Sequence, residues 1–132
     1  DHLFCGDTLF GAGCGRLFEG TFEQMFSSLQ KIKALPNTTK IYCAHEYTLK
    51  NLEFATMVEP DNDLIKKRII DTKVLLEKHC SSLPSTLALE KKTNPFLRCD
   101  QPTIQHSIEQ FSQQLLHHNE ILIFKYLREW RN

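Results

Sequence analysis

Residues 4–20 read FCGDTLFGAGCGRLFEG, and this stretch decides how the rest of the chain is interpreted. All five glycines of the 132-residue chain lie within it, after an apolar run that ends at Cys5. Glycine loses more backbone entropy on folding than any other residue, so this clustering indicates demanding backbone geometry or close approach of another group. We predict a short buried strand that delivers Asp7 into a glycine-rich loop of a metal or catalytic site. A hairpin turn capped by Asp7 is the simpler alternative.

A second stretch, KIYCA at residues 40–44, predicts another short strand, and His45-Glu46-Tyr47 follows at its end. The ends of strands in α/β proteins commonly carry ligands and catalytic groups. A carboxylate from Asp7 and an imidazole from His45 are ligand types that suit Zn, Fe or Mn. The alternative for His45 is a hydrogen-bonded histidine at a strand end.

The segment between the two predicted strands has the pattern of an amphipathic helix over residues 22–34. Thr21 and Gln24 have the spacing of a capping box, and apolar residues then recur every three or four positions. Strand, helix and strand form the βαβ unit of a layered α/β domain. Two strands alone make an incomplete sheet. We therefore expect that no sheet covers the apolar face of this helix, so that it lacks a floor to pack on, and that the α/β part is poorly stable.

From Thr48 onward the chain has a helical pattern, and we predict a division into domains at residues 1–46 and 47–132. Thr48 is expected to cap a helix to about Val58, and Asn62 to cap a longer one. Shorter helices are predicted from about Thr86, from Pro102 to about Glu109, and from about Asn119 to the end. The apolar stripe of the longer helix is predicted to comprise Leu64, Ile65, Arg68, Ile69, Thr72, Leu75 and Leu76.

Several motifs together resemble glyoxalase II, the hydroxyacylglutathione hydrolase family of the metallo-β-lactamase superfamily. They are GDTLF, AGCGR and EG within residues 6–20, AHEYT at 44–48, NLEFA at 51–55, VEPDN at 58–62 and NPFLR at 94–98. The resemblance extends along essentially the whole chain and corresponds to the C-terminal half of the enzyme. It implies the C-terminal part of a metallo-β-lactamase αββα fold, followed by a small all-helical domain that binds glutathione.

The resemblance also implies two divalent metal ions in the complete enzyme, with Zn first and Fe or Mn as alternatives. Asp7 matches the carboxylate that bridges the ions, and His45 matches a ligand of one ion. A carboxylate has two oxygens and can span ions about 3.5–4 Å apart. The family's T-H-x-H-x-D-H motif and a further G-H-T-x-G-H histidine are not in this chain. Because two ligands cannot hold a pair of ions, we expect the isolated chain to be inactive.

The reaction implied by the resemblance is hydrolysis of S-lactoylglutathione to glutathione and D-lactate by a hydroxide between the ions, the second step of methylglyoxal detoxification. Tyr47 matches a tyrosine that contacts glutathione, and Arg16 matches a basic residue that contacts its peptide backbone. Phe18 stands where some members have tyrosine and is a further candidate for substrate contact, through packing or its backbone, because the hydroxyl is missing. Arg128 and Arg131 match the family's Arg-x-x-Lys pair, which the resemblance implies holds the glycine carboxylate. Positions i and i+3 share a helix face, so the two guanidiniums can converge on one anion. The alternative for this pair is interaction with the helix dipole.

The composition restricts the possible partners. Sixteen basic residues balance sixteen acidic ones, so no overall field attracts nucleic acid or an anionic membrane, and no apolar run is long enough to span a bilayer. The expected partners are a glutathione thioester and the N-terminal half of the same enzyme, with the complete enzyme a cytoplasmic monomer. The histidines other than His45 are expected at the surface.

Five widely spaced cysteines without a C-x-x-C pair argue against a disulfide scaffold. We expect Cys5 and Cys43 to be small core residues, whereas Cys14 lies in the glycine-rich loop and is a candidate for exposure.

Two other functions remain open from the sequence. One is a non-catalytic glutathione-binding or scaffold module left by truncation. The other is a different metallo-β-lactamase-fold hydrolase or a persulfide dioxygenase.

Overall fold

The computed structural model of the protein describes residues 1–16, 20–43 and 46–131. Strand β1 (His2–Gly6) runs parallel to β4 (Lys40–Cys43), and helix α1 (Phe22–Lys33) connects them. The predicted βαβ unit is therefore confirmed. A short strand β5 (Ser85–Thr86) pairs antiparallel with β4, so the sheet order is β1-β4-β5. The helical half thus contributes a strand to the sheet of the first half.

The glycine-rich stretch forms a second, two-stranded sheet. Strands β2 (Leu9–Phe10) and β3 (Gly13–Cys14) pair antiparallel, with Gly11 and Ala12 at the turn. Ala12 has a φ of 58°, a left-handed conformation that is uncommon for a residue with a Cβ atom. Residues 10–15 are called the glycine loop below. All six of them are buried, which shows that other elements pack closely around this turn.

The remaining helices follow in chain order: α2 (Thr48–Val58), α3 (Asp63–Glu77), α4 (Leu87–Thr93), α5 (Pro102–Ser112) and α6 (Glu120–Arg131), with a 3-10 turn at Pro95–Leu97. The capping box of Thr21 and Gln24 on α1 is present, and Asn62 caps α3 by accepting from two backbone amides. Thr48 does not cap α2: the cap position is Tyr47, which makes no side-chain capping bond. The Thr48 hydroxyl instead pairs with that of Ser82 at 2.9 Å.

The predicted apolar stripe of α3 is wrong at three positions. Ile65, Arg68 and Thr72 are buried, whereas Leu64, Leu75 and Leu76 are between 37% and 47% exposed. The helix packs against α2 and α4, and only the positions spaced three and four apart along one narrow face meet these neighbours. Periodicity predicted a helix correctly but overestimated how wide its buried face is.

The main core combines residues from both halves of the chain. Leu29 of α1 and Ile41 of β4 are fully buried in the same cluster as Phe96 and Phe124. The expectation that α1 lacks a floor is wrong, because its apolar face packs on α6: the ring of Phe26 lies 5.9 Å from that of Phe124. Each large apolar side chain buried in this way contributes about 1.5–3 kcal/mol to folding. The division into domains at residue 46 stays a prediction.

The described part of the chain is therefore mixed α/β, as predicted. None of the helices in the described ranges combines the length and apolar character needed to cross a membrane.

Candidate functional site: an arginine-lined pocket at the glycine loop

The glycine loop lies directly against the start of α2. A Cβ atom added to Gly13 would lie 2.6 Å from Nδ2 of Asn51, closer than real side chains approach. A larger residue at this position would therefore have to push the loop away from the helix. The prediction that the glycine cluster marks close approach of another group is confirmed, and that group is helix α2.

Four polar side chains from the helical half hydrogen-bond to the backbone of the glycine loop. Each reaches a different loop residue, and the sequence separations run from 40 to 114 positions. The four bonds are Asn51 Nδ2 to Gly11 O at 3.1 Å, Ala12 N to Glu90 Oε1 at 2.8 Å, Asn94 Nδ2 to Gly13 O at 3.0 Å and Arg128 Nη1 to Cys14 O at 2.7 Å. The shape of the loop is thus set by α2, α4, the residue that ends α4, and α6.

Glu90 is the centre of a buried polar network. Its side chain has no exposed surface, and its Oε2 accepts hydrogen bonds from Arg68 Nη2 and Ser85 Oγ, each at 2.7 Å. A buried carboxylate is costly unless it is both paired and hydrogen-bonded, and Glu90 is both. Arg68, which the sequence placed on an apolar stripe, is buried because it neutralises this carboxylate.

The motif residues Glu59 and Arg98 form a second ion pair at the C-terminal end of α2. Arg98 donates from Nε and Nη2 to the two carboxylate oxygens at 2.9 Å and 3.0 Å. Burial alone would raise the pKa of Glu59, but hydrogen bonds from Arg98 and Thr103 and the charge of Arg98 outweigh it, so the pKa lies below its usual value. The VEPDN and NPFLR motifs therefore hold the helices together.

A cavity of about 470 Å³ opens beside the glycine loop. Its walls come from the loop, the first turn of α2 and the last turn of α6. Ten residues line it: Asp7, Phe10, Cys14, Gly15, Arg16, Tyr47, Lys50, Asn51, Arg128 and Arg131. Five of the seven predicted site residues are in this set, namely Asp7, Arg16, Tyr47, Arg128 and Arg131. Phe18 and His45 lie outside the described residues.

The pocket is strongly basic. Arg16, Lys50, Arg128 and Arg131 line it, against one carboxylate, that of Asp7. None of the ion pairs found among the described residues includes Arg16, Lys50 or Arg131. Burial of Arg131, together with the charges of Arg128 and Arg16, lowers the pKa of its guanidinium. Such a cluster of like charges favours binding of an anion.

Arg128 and Arg131 differ in their surroundings, although both line the pocket. Arg128 is 5% exposed, and its guanidinium lies 5.2 Å from the centre of the Phe96 ring. Arg131 is half-buried; its Nη2 donates to Asn51 Oδ1 at 3.4 Å, and its Nε is buried without a hydrogen-bond partner in the described chain. Arg128 therefore supports the loop as well as lining the pocket, whereas Arg131 has hydrogen-bonding capacity left for a ligand.

Tyr47 stands at the entrance of the pocket, between the second predicted strand and α2. It is 47% exposed, and its ring packs edge-on against Phe10 at 5.0 Å between centroids. This packing limits the movement of the ring while leaving part of the side chain exposed.

The metal hypothesis concerns Asp7 and His45. Asp7 is exposed and lines the pocket, which is the position a ligating carboxylate needs. No group of three or more His, Cys, Asp or Glu side chains suited to a metal ion occurs within residues 1–16, 20–43 and 46–131. Asp7 is therefore placed where a metal ligand could lie, and His45 lies outside the described residues.

None of the five described histidines lines the pocket, whereas Cys14 is one of its lining residues. His2, His79, His106, His117 and His118 are exposed, as expected. All five cysteines are free thiols. The expectation of an exposed Cys14 is wrong: Cys14 is 5% exposed, and burial raises the pKa of its thiol to about 11. The half-buried Cys5 has a pKa raised to about 11 by the same cause.

Five residues of the pocket were not predicted as site residues: Phe10, Cys14, Gly15, Lys50 and Asn51. Lys50 lies three positions after Tyr47 in the first turn of α2, so the two share a helix face. That spacing was a usable signal. Asn51 opens the NLEFA motif, but its contacts reach residues 40 and 80 positions away, and no local pattern indicates them.

Comparison with known proteins gives a consistent result. A family model described as the hydroxyacylglutathione hydrolase C-terminus matches residues 46–132. The chain is 52% identical over 134 residues to hydroxyacylglutathione hydrolase of Nitrosomonas eutropha, an alignment that covers 100% of this chain and 51% of the relative. It is 53% identical over 130 residues to the protein of that name from Aeromonas hydrophila, covering 98% of this chain and 51% of the relative. The chain spans about half the length of the curated relatives it matches.

Proposed function

The chain belongs to the hydroxyacylglutathione hydrolase family, and we propose that its arginine-lined pocket binds the glutathione part of a 2-hydroxyacyl thioester such as S-lactoylglutathione. The observation that carries the proposal is the state of Arg131. Its guanidinium is partly buried among other cations, has no ion pair with the described residues, and has an Nε without a partner. A carboxylate bound there would supply both the missing charge and the missing acceptor.

The glycine carboxylate of glutathione is the group that fits this position. A planar guanidinium donates two parallel hydrogen bonds to a carboxylate, and such charge-assisted bonds contribute about 1.5–3 kcal/mol each. Arg16 and Lys50 are exposed cations that line the same pocket. They are placed to attract an anionic peptide and to contact its polar backbone or its second carboxylate. Tyr47 contributes an amphipathic surface at the entrance.

We further propose that Asp7 and His45 supply two ligands of a two-metal site in a complete enzyme with a metallo-β-lactamase fold. Asp7 supports this because it lies in the wall of the same pocket that would hold the peptide. Bound ions would supply Lewis-acid polarisation of the thioester carbonyl. In the overall reaction water adds to the acyl carbon, the carbon–sulfur bond breaks, and the products are glutathione and a 2-hydroxy acid. The residues of this chain bind and orient the peptide part for that reaction.

Calorimetric titration of the 132-residue chain with glutathione tests the binding proposal. We expect saturable binding that weakens at high salt, because screening reduces interactions between charges. Glutathione with its glycine carboxylate converted to an amide should bind at least tenfold more weakly, about 1.4 kcal/mol. Lys67→Ala is the matched control, since this exposed cation of α3 pairs with Asp71 and is not part of the pocket. Absence of binding, or equal binding of the amide, would refute the proposal.

A further inference from the structure

Asn51 connects the glycine loop to the arginine of the pocket. It is 7% exposed, lies in the first turn of α2, and lines the cavity. Its Nδ2 donates to the carbonyl oxygen of Gly11 at 3.1 Å, and its Oδ1 accepts from Nη2 of Arg131 at 3.4 Å. The amide group of Asn51 therefore bonds to the glycine loop through its nitrogen and to α6 through its oxygen.

The contact is informative because Arg131 has few others. Within the described ranges, the Asn51 oxygen is the hydrogen-bond acceptor found for its guanidinium, and the remaining contact is with the ring of Phe54 at 5.9 Å from Cζ. An arginine side chain has large rotamer freedom, and fixing it before a ligand arrives reduces the entropic cost of binding.

The chemistry of an amide suits this task better than that of a carboxylate. The Asn51 oxygen orients the guanidinium without neutralising it, so the positive charge remains available to an anion. An aspartate at this position would lose the donor to Gly11 and would compete with the ligand for Arg131.

We propose that Asn51 is a positioning residue that holds Arg131 against the glycine loop for the carboxylate end of the ligand. This inference rests on the proposed binding of glutathione. Asn51 acts through Arg131, and its effect on binding depends on the presence of that side chain.

A double-mutant cycle measured by calorimetry with glutathione tests the inference. Asn51→Ala should weaken binding about fivefold. Asn51→Ala combined with Arg131→Ala should bind within twofold of Arg131→Ala alone, because Asn51 has nothing left to position. A purely structural role would instead multiply the two losses, and that result would overturn the inference. Unchanged binding by Asn51→Ala would overturn it as well.

Two further variants control for folding. Asn62→Ala removes the cap of α3, outside the pocket, and should lower stability to urea while leaving the affinity for glutathione unchanged. Asn51→Asp is close in shape to the parent and should bind more weakly than Asn51→Ala; equal or tighter binding contradicts the inference. If the parent chain itself does not bind glutathione, the proposed function fails first. If the parent binds and the Asn51 variants bind equally well, only the present inference fails.

Discussion

Nη1 of Arg128 donates a 2.7 Å hydrogen bond to the carbonyl oxygen of Cys14, which joins residues 114 positions apart in the sequence. The arginine is nearly fully buried and lies over the ring of Phe96. The last helix of the chain is thereby fastened to the loop near its beginning. We therefore expect the substitution of Arg128 and that of Arg131, which share one helix face, to affect stability differently.

Arg128→Ala is expected to lower the free energy of unfolding by about 1–3 kcal/mol, because the Cys14 carbonyl loses its charged donor in a buried place. In a complete enzyme the same change should mainly raise KM for the thioester, since it weakens binding in the ground and transition states about equally. Urea unfolding and steady-state kinetics measure the two effects. A large fall in kcat at constant KM would contradict the assignment, and unchanged stability would contradict the support of the loop.

Arg131→Ala should weaken binding without lowering stability. The side chain is half-buried and supports no backbone carbonyl in the described residues, so stability to urea should stay close to that of the parent. Glutathione affinity should fall by about 1.5–3 kcal/mol, the contribution of a hydrogen bond to a charged group. Calorimetry on both arginine variants separates the roles. Equal effects of the two substitutions on affinity and on stability would show that the distinction is wrong.

The features that were predicted and the contacts that were not differ in how far apart in the sequence the interacting residues lie. The capping box of Thr21, the cap at Asn62 and the βαβ unit depend on residues close in sequence, and all three were predicted correctly. The packing of α1 on α6 and the burial of Arg68 depend on partners far along the chain. Hydrophobic periodicity identifies the face of a helix but not what covers it.

In the candidate site, too, local motifs were predicted and long-range contacts were not. Motif matching indicated Arg16, Tyr47 and Arg131, and the fold brings them to one cavity. The polar residues that shape the cavity, Asn51, Glu90 and Asn94, resemble solvated surface positions when only the sequence is considered. Their burial becomes understandable only once the loop carbonyls and amide they satisfy are known.

The ion pair between Glu59 and Arg98 should make the chain sensitive to acid. The folded pKa of Glu59 is lowered, so its contribution to stability is complete above the ordinary pKa of 4.5 and is lost as the pH falls through the folded value. Glu59→Gln should therefore be less stable than the parent at pH 7, with the difference shrinking below about pH 4.5.

Urea unfolding at several pH values measures that difference. Asp71→Asn is the matched control, because the exposed pair of Lys67 and Asp71 should contribute little at any pH. A constant difference between Glu59→Gln and the parent from pH 7 to pH 3 would contradict the coupling.

Thiol labelling should distinguish one cysteine from the rest. Cys80 is exposed, whereas Cys14 and Cys99 are buried and Cys5 and Cys43 half-buried, and burial raises the pKa of these four thiols. The thiolate is the reactive form, so buried thiols should react only on unfolding. A chromogenic disulfide reagent at pH 8 should therefore show one fast thiol in the folded chain and five in urea. Cys80→Ser should remove the fast phase, and its persistence would place an accessible thiol elsewhere.

The isolated chain should not hydrolyse S-lactoylglutathione above background with added Zn, Mn or Fe, because Asp7 and His45 are too few ligands for two ions. Supplying the N-terminal half in trans should produce activity, and Asp7→Asn in the reconstituted enzyme should reduce both kcat and metal content. Activity assays and metal analysis provide the measurements. Hydrolysis by the isolated chain, or full metal content in Asp7→Asn, would refute the ligand assignment.

The four hydrogen bonds to the glycine loop also bear on protein engineering. A chimera that joins residues 1–45 of this chain to the helical segment of a relative preserves the loop only if that segment supplies the same donors and acceptors as Asn51, Glu90, Asn94 and Arg128. The loop and its four supporting side chains therefore have to be matched as one unit when a crossover is designed.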